Sequence, residues 1–249
     1  MKPKISYVIC AVQRSGSFLL CEALKNTGLA GFPEEHFLNN GEGWEDGWWA
    51  RQHGVTTRRE YLNLVFEQGT SPNGVFGTKV MWNYFHAMLK TLQELPEYRD
   101  LDAPQLMASL FPNVRYIWIV RRDKVRQAVS WAKAGQTDVY AWTNGEAPVA
   151  KREPTFDFDF IDLLHNLIIE GEAGWQSFFE ACGVQPFKVE YEDLVEAYEA
   201  TALRILDYLH VSYPRTLVFG ERRLQKQADA LNELWVKKYS QMKQTKEGA

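Results

Sequence analysis

Cysteine is scarce in this chain: Cys10, Cys21 and Cys182 stand far apart, and none belongs to a C-x-x-C pair. That excludes a disulfide-stapled scaffold and predicts three small buried hydrophobes in a reducing compartment. Histidine is nearly as rare, five in all with no ligand spacing, and no carboxylate pair suggests a Mg²⁺ site. No metal is expected. A surplus of positive charge is missing too, with 28 Lys plus Arg against 32 Asp plus Glu and a net charge of −4. A nucleic-acid partner would need a coat of phosphate-neutralising cations, so any bound anion must be held by a local cluster. No stretch approaches the ~18 unbroken apolar residues of a membrane helix. The first apolar run is too short for a secretory signal and lacks a small-residue cleavage site, and no N-x-Ser/Thr sequon occurs. A cytoplasmic protein without nucleic-acid or integral membrane contacts is the expectation.

What the chain does have is an ordinary globular composition, 45% hydrophobic and 24% charged, over 249 residues. Such a chain buries a sizeable core in one domain, here taken as 1–249. Ile5 to Val12 is a nearly continuous apolar run rich in β-branched residues, the mark of a strand covered on both faces. Val75–Val80, Val114–Val120 and Phe187–Tyr191 repeat the pattern. Helical spacing occupies the intervals: Phe18 to Leu24, Tyr61–Phe66, Tyr84–Leu95, Asp123–Ala132, Phe160–Cys182 and Leu194–Leu209. The alternation predicts an α/β fold, a central parallel sheet flanked by helices. Residues 39–54 and 134–154 break the pattern and are expected as site or interface loops. The charged end, 241–249, is expected to fray.

Two segments carry anion chemistry. Gln13-Arg14-Ser15-Gly16-Ser17 lies between a buried strand and a helix, where backbone N–H groups and the positive helix end converge on one point. Gly16 allows close approach, Ser15 and Ser17 add hydroxyls, and Arg14 adds a charged fork. The segment is neither a G-x-x-x-x-G-K-[ST] loop nor a G-x-G-x-x-G fingerprint. Arg121 stands at the end of the clearest strand, and Ser130 follows on the next helix, a second phosphate grip. Arg122 and Arg126 add two cations that either strengthen this grip or face solvent. Two anion sites at neighbouring strand ends suggest one nucleotide with phosphates at both ends.

Together with Gly31-Phe-Pro-Glu-Glu35, Asn73–Lys79, Met81-Trp-Asn83, Gln227-Ala-Asp229, Trp235-Val236 and Tyr239, these segments resemble the sulfotransferases that use 3′-phosphoadenosine-5′-phosphosulfate (PAPS). The closer resemblance is to the bacterial trehalose 2-sulfotransferase (Stf0-type) branch. It implies a P-loop-like sulfotransferase fold in which Arg14, Ser15, Gly16 and Ser17 hold the 5′-phosphosulfate and Arg121 and Ser130 the 3′-phosphate. It implies a carbohydrate or glycolipid acceptor, adenosine 3′,5′-bisphosphate as product, and a homodimer. Sulfuryl transfer to an alcohol needs a base, and Glu35 falls on the branch's base position, with His36 as the rival. Lys79, a charged residue in an apolar strand, either neutralises charge near the sulfuryl group or merely reaches water. Trp44, Trp48 and Trp49 form either a sugar platform or a lid on the core. The alternatives are a nucleotide kinase, which would want the lysine this loop lacks, and a non-catalytic nucleotide-binding module.

Overall fold

The computed structural model describes residues 3–38, 44, 47–142, 149–224 and 229–247. In chain order the elements are β1 (Ile5–Ala11), α1 (Ser17–Asn26), α2 (Trp48–Gln52), α3 (Arg58–Gly69), β2 (Val75–Met81), α4 (Trp82–Leu92), α5 (Ala103–Leu110), β3 (Val114–Val120), α6 (Lys124–Thr137), α7 (Phe158–Cys182), β4 (Phe187–Glu190), α8 (Tyr191–Glu196), α9 (Tyr198–Tyr208) and α10 (Ala230–Glu247). The strands form one parallel sheet in the order β2-β1-β3-β4. The chain leaves β1 for β2 on one side, then crosses back to add β3 on the other. Open α/β sheets bind ligands at the carboxyl ends of the strands where that direction reverses, here β1 and β3.

The apolar runs are continuous because each strand is covered on both faces. Val8, Cys10 and Val12 enter one core with side chains of α3 to α7 and α10. Tyr7, Ile9 and Ala11 enter the other, beneath α1 and α9. All three cysteines are free. No helix among the described residues is long and apolar enough to cross a membrane.

Several elements differ from the sequence expectation for local reasons. The helix α5 is only eight residues long, and its start is set by a reciprocal cap between Asp102 and Gln105 with proline in the first turn. Leu194–Leu209 divides at Ala197, whose backbone leaves helical geometry, so Leu194 of α8 and Ile205 of α9 both reach the lower core. Residues 241–247, expected to fray, continue α10, where Lys243 pairs with Asp162 at 2.7 Å and Lys246 with Asp159 at 3.3 Å. Trp44 is a core residue, stacked on Tyr61 at 5.7 Å and edge-on to Phe37, which removes it from any sugar platform. The side chains of Trp48 and Trp49 lie outside the described residues.

One packing feature fixes the edge of the future site. A Cβ added at Gly174 would lie 2.1 Å from the ring of Trp82, and one at Gly171 would lie 2.9 Å from Val12. The two glycines thus cut a notch in α7 that seats Trp82, the first residue after β2, with its ring 5.2 Å from that of Trp175.

Candidate active site

The turn after β1 is held from three sides. Gln127 of α6 donates its side-chain amide to the Gln13 carbonyl at 2.8 Å, Trp175 of α7 donates to the Ala11 carbonyl at 2.9 Å, and the Ser15 N–H donates to the Val12 carbonyl. Arg14 takes a left-handed φ of 62°, a conformation that costs a non-glycine residue and persists only where its surroundings impose it. Gly16 follows at φ 93° as the N-cap of α1, and no side chain caps that helix. A Cβ on Gly16 would sit 2.2 Å from the ring of Tyr191, so only glycine fits both the dihedral and the space. The uncapped amide end of α1 therefore faces the cavity that Gly16, Ser17 and Phe18 line.

Across the switch point, β3 delivers Arg121. Its Nε is buried without a hydrogen-bond partner, and its guanidinium lies 4.9 Å over the ring of Tyr191. Arg14 donates through Nε to Ser130 Oγ at 3.0 Å and through Nη1 to the Tyr140 carbonyl. Burial, and then the charge of Arg121, lowers the Arg14 pKa to about 10. Burial also lowers that of Arg121. Two partly buried cations that disfavour each other mark a place where an anion would be strongly stabilised.

The other two arginines of this segment diverge. Arg122 turns away from the cavity to Glu190 at 2.5 Å and Asp193 at 2.9 Å. Arg126 lines the cavity, but Asp123 and Glu233 hold its guanidinium at 2.5 and 2.6 Å.

The β2 side carries the carboxylate. The chain after α1 returns beside β2, bridging Glu34 to Thr78, with the Lys79 N–H donating to the Glu34 carbonyl at 2.9 Å. Glu34 and Glu35 diverge because the segment is extended there, and the chain turns at His36. Glu34 points outward to Lys25 at 2.5 Å. Glu35 points into the cavity and meets Lys79 Nζ through Oε2 at 3.0 Å. His36 points into the upper core, its ring stacked on Phe76, and burial pushes its pKa down to about 4. Lys79 is 1% exposed and stands behind Glu35, with Nζ 3.7 Å above the ring of Phe18.

Arg14, Gly16, Ser17, Glu35, Arg121 and Ser130 thus line one cavity of about 940 Å³. Two expected site residues do not reach its wall. Ser15 is wholly buried beneath the turn, its Oγ without a partner, and Lys79 stands behind Glu35 and Phe18. Of Gln227-Ala-Asp229, the first two residues lie outside the described residues, while Asp229 accepts from the Asn232 N–H at the start of α10 and pairs with Lys133. The structure also adds residues that sequence reasoning passed over. Tyr191 begins α8 directly after β4 and spans from Gly16 to Arg121. Its only signal was an aromatic residue at a strand's carboxyl end. Gln127, a fully buried polar side chain inside a helix, had none.

Residues 6–242 match the family described as Stf0 sulphotransferase. The chain belongs to that family. It is 29% identical to a trehalose 2-sulfotransferase of Mycolicibacterium smegmatis over 94% of each chain. It is 27% identical to one of Mycobacterium tuberculosis over 94% of this chain and 93% of that one. Among solved structures, the sulfotransferase domain of the Synechococcus PCC 7002 olefin synthase superposes with a TM-score of 0.51 and 18% identity, over 94% of this chain and 85% of that one. That last likeness is one of fold. As a sulfotransferase the chain is an enzyme, and a transferase must bring a donor and an acceptor into one enclosure. This chain's cavity provides one, with Arg121 and Arg126 on the β3 side and Glu35 on the β2 side. Among its described residues, no group of three or more His, Cys, Asp or Glu could hold a metal ion.

Proposed function

We propose that this Stf0 sulfotransferase moves the sulfuryl group of PAPS to a hydroxyl of a carbohydrate or glycolipid acceptor, trehalose-like in class. One observation carries the reading: a carboxylate backed by a buried lysine shares a cavity with two partly buried arginines, one of which has a buried, unpartnered nitrogen. When bound, PAPS supplies an activated sulfuryl group and a leaving phosphate. The residues fit it. Arg121 Nε and Ser130 Oγ are donors for a 3′-phosphate, and their charge-assisted bonds are the strong kind. Ser17, Arg14 and the amide end of α1 receive the 5′ end, and Gly16 leaves room for it. Arg14, already bonded to Ser130, ties the two ends of the site together.

Glu35 takes the acceptor hydroxyl's proton. Lys79 occupies Oε2 and leaves Oε1 for the proton. A carboxylate suffices where the hydroxyl acidifies as it attacks sulfur. Negative charge that grows on the bridging oxygen is met by Arg14 and the loop amides, which need not reorganise. Lys79 is a positioning residue that fixes the Glu35 rotamer. The acceptor class rests on the names of the relatives.

The test compares Glu35→Gln, Glu34→Gln and His36→Asn at saturating PAPS. General base catalysis is worth ~10²–10⁴-fold, so Glu35→Gln is expected to lose at least the lower figure in kcat with donor affinity intact. Glu34→Gln and His36→Asn should stay near wild type. A full loss in His36→Asn alone would move the base to the histidine.

A further inference from the structure

The donor side of the cavity contains a cation that the mechanism above does not use. Arg126 sits one helical turn before Ser130 on α6 and lines the same cavity. Its positive charge bears on Arg121, so Arg121, Arg126 and Ser130 converge on one region. Every arm of the Arg126 fork is occupied by a carboxylate. Nη1 donates to Asp123 Oδ2 at 2.5 Å, Nε to Glu233 Oε1 at 3.2 Å and Nη2 to Glu233 Oε2 at 2.6 Å. Two parallel bonds from Nε and Nη2 to one planar anion are the geometry in which a guanidinium takes a phosphate. Glu233 itself lines the cavity, from the first turn of α10.

We propose that Arg126 is a further donor-binding residue and that Glu233 stands in for the donor's 3′-phosphate on its guanidinium, exchanging with it when the nucleotide binds. This rests on the functional reading above. Three further observations favour exchange over a fixed clamp. The Arg126 side chain is 42% exposed and that of Glu233 56%, and an ion pair so exposed is weakly held. A phosphate dianion brings a larger charge and more acceptor atoms than one carboxylate. Asp123 also accepts from the Arg126 N–H at 2.8 Å, which keeps the base of the side chain anchored while the Glu233 bonds exchange. The helix α10 does not depend on this pair, since Lys133–Asp229 and Lys243–Asp162 hold it independently. The cost of displacing Glu233 is an affinity the protein forgoes, and it makes the nucleotide product easier to release.

The two readings of the clamp differ in sign. A structural clamp predicts that removing either partner loosens nucleotide binding. Competition predicts opposite effects. Calorimetric titration with adenosine 3′,5′-bisphosphate and with adenosine 5′-monophosphate is carried out on wild type, Arg126→Gln, Arg126→Lys and Glu233→Gln. Arg126→Gln should lose about tenfold in affinity for the bisphosphate, the value of one charge-assisted contact, and little for the monophosphate. Arg126→Lys should recover part of that loss. Glu233→Gln should bind the bisphosphate about threefold more tightly, with the monophosphate unchanged. Weaker bisphosphate binding in Glu233→Gln, or equal losses for both nucleotides in Arg126→Gln, overturns the inference while leaving the functional reading in place. A wild type that fails to prefer the bisphosphate overturns the functional reading itself.

Discussion

Glu35 and His36 are adjacent in sequence and sit in different solvents. Glu35 faces the cavity with a lysine behind it, whereas His36 lies among Phe76 and the α3 backbone. The depressed His36 pKa makes a prediction at this scale. The folded chain keeps the ring neutral down to about pH 4, while the unfolded chain takes up a proton near 6.5. His36 therefore contributes stability fully above about pH 6.5 and loses it as the pH falls toward 4. Between pH 7 and pH 5 the wild type should lose about 1–2 kcal/mol more than His36→Asn, read from urea denaturation midpoints. Equal losses would show that the ring is not held neutral by the fold. The divergence of Glu34 from Glu35 was legible in the sequence, because alternation along an extended segment is a backbone property, whereas the burial of His36 was not, since the chain turns there. That Lys79 and Ser15 stop short of the cavity wall was not, since depth within a layer depends on what packs above it.

At the scale of single elements, α7 is instructive because its glycines work against its own helix. Alanine at position 174 would favour the helix by up to about 1 kcal/mol on propensity alone. The added methyl would instead meet the Trp82 ring at 2.1 Å, a ring already wedged against Phe85, His86 and Trp175. Overpacking of this kind costs about 1–3 kcal/mol, so Gly174→Ala should lower Tm by several degrees in calorimetry. An unchanged or higher Tm would mean that the Trp82 ring moves freely. All four strands were legible, because burial on both faces leaves an unbroken apolar run. The missing α5 and the break at Ala197 were not. One is written in its caps more than in its periodicity, and the other preserves helical spacing on both sides of a bend. Tyr191 escaped for a related reason, because β4 passes directly into α8 there with no turn residue between them.

For the molecule as a whole, the proposed donor site draws on β1, β3, α6 and α8 together, so an occupied site should resist unfolding as a unit. A ligand at about a hundred times its Kd adds about 2.7 kcal/mol, which for a chain of this size is a Tm increase of about 5–10 °C. Adenosine 3′,5′-bisphosphate is expected to give that shift in thermal denaturation, and adenosine 5′-monophosphate at the same concentration a smaller one. Identical shifts would remove the 3′-phosphate from the account of the site.

The sheet order has a further consequence for anyone wishing to redesign this enzyme. Because β2 and β3 lie on opposite sides of β1, the proposed donor-facing and acceptor-facing surfaces belong to separate stretches of chain on either side of the turn after β1. Under the proposed assignment, residues 33–38 and 82–84 form a cassette that can be recombined between relatives while 121–130 and 191 are left untouched. Retargeting to a new alcohol then becomes a grafting problem on one edge of a sheet, with the nucleotide machinery carried along as a constant chassis.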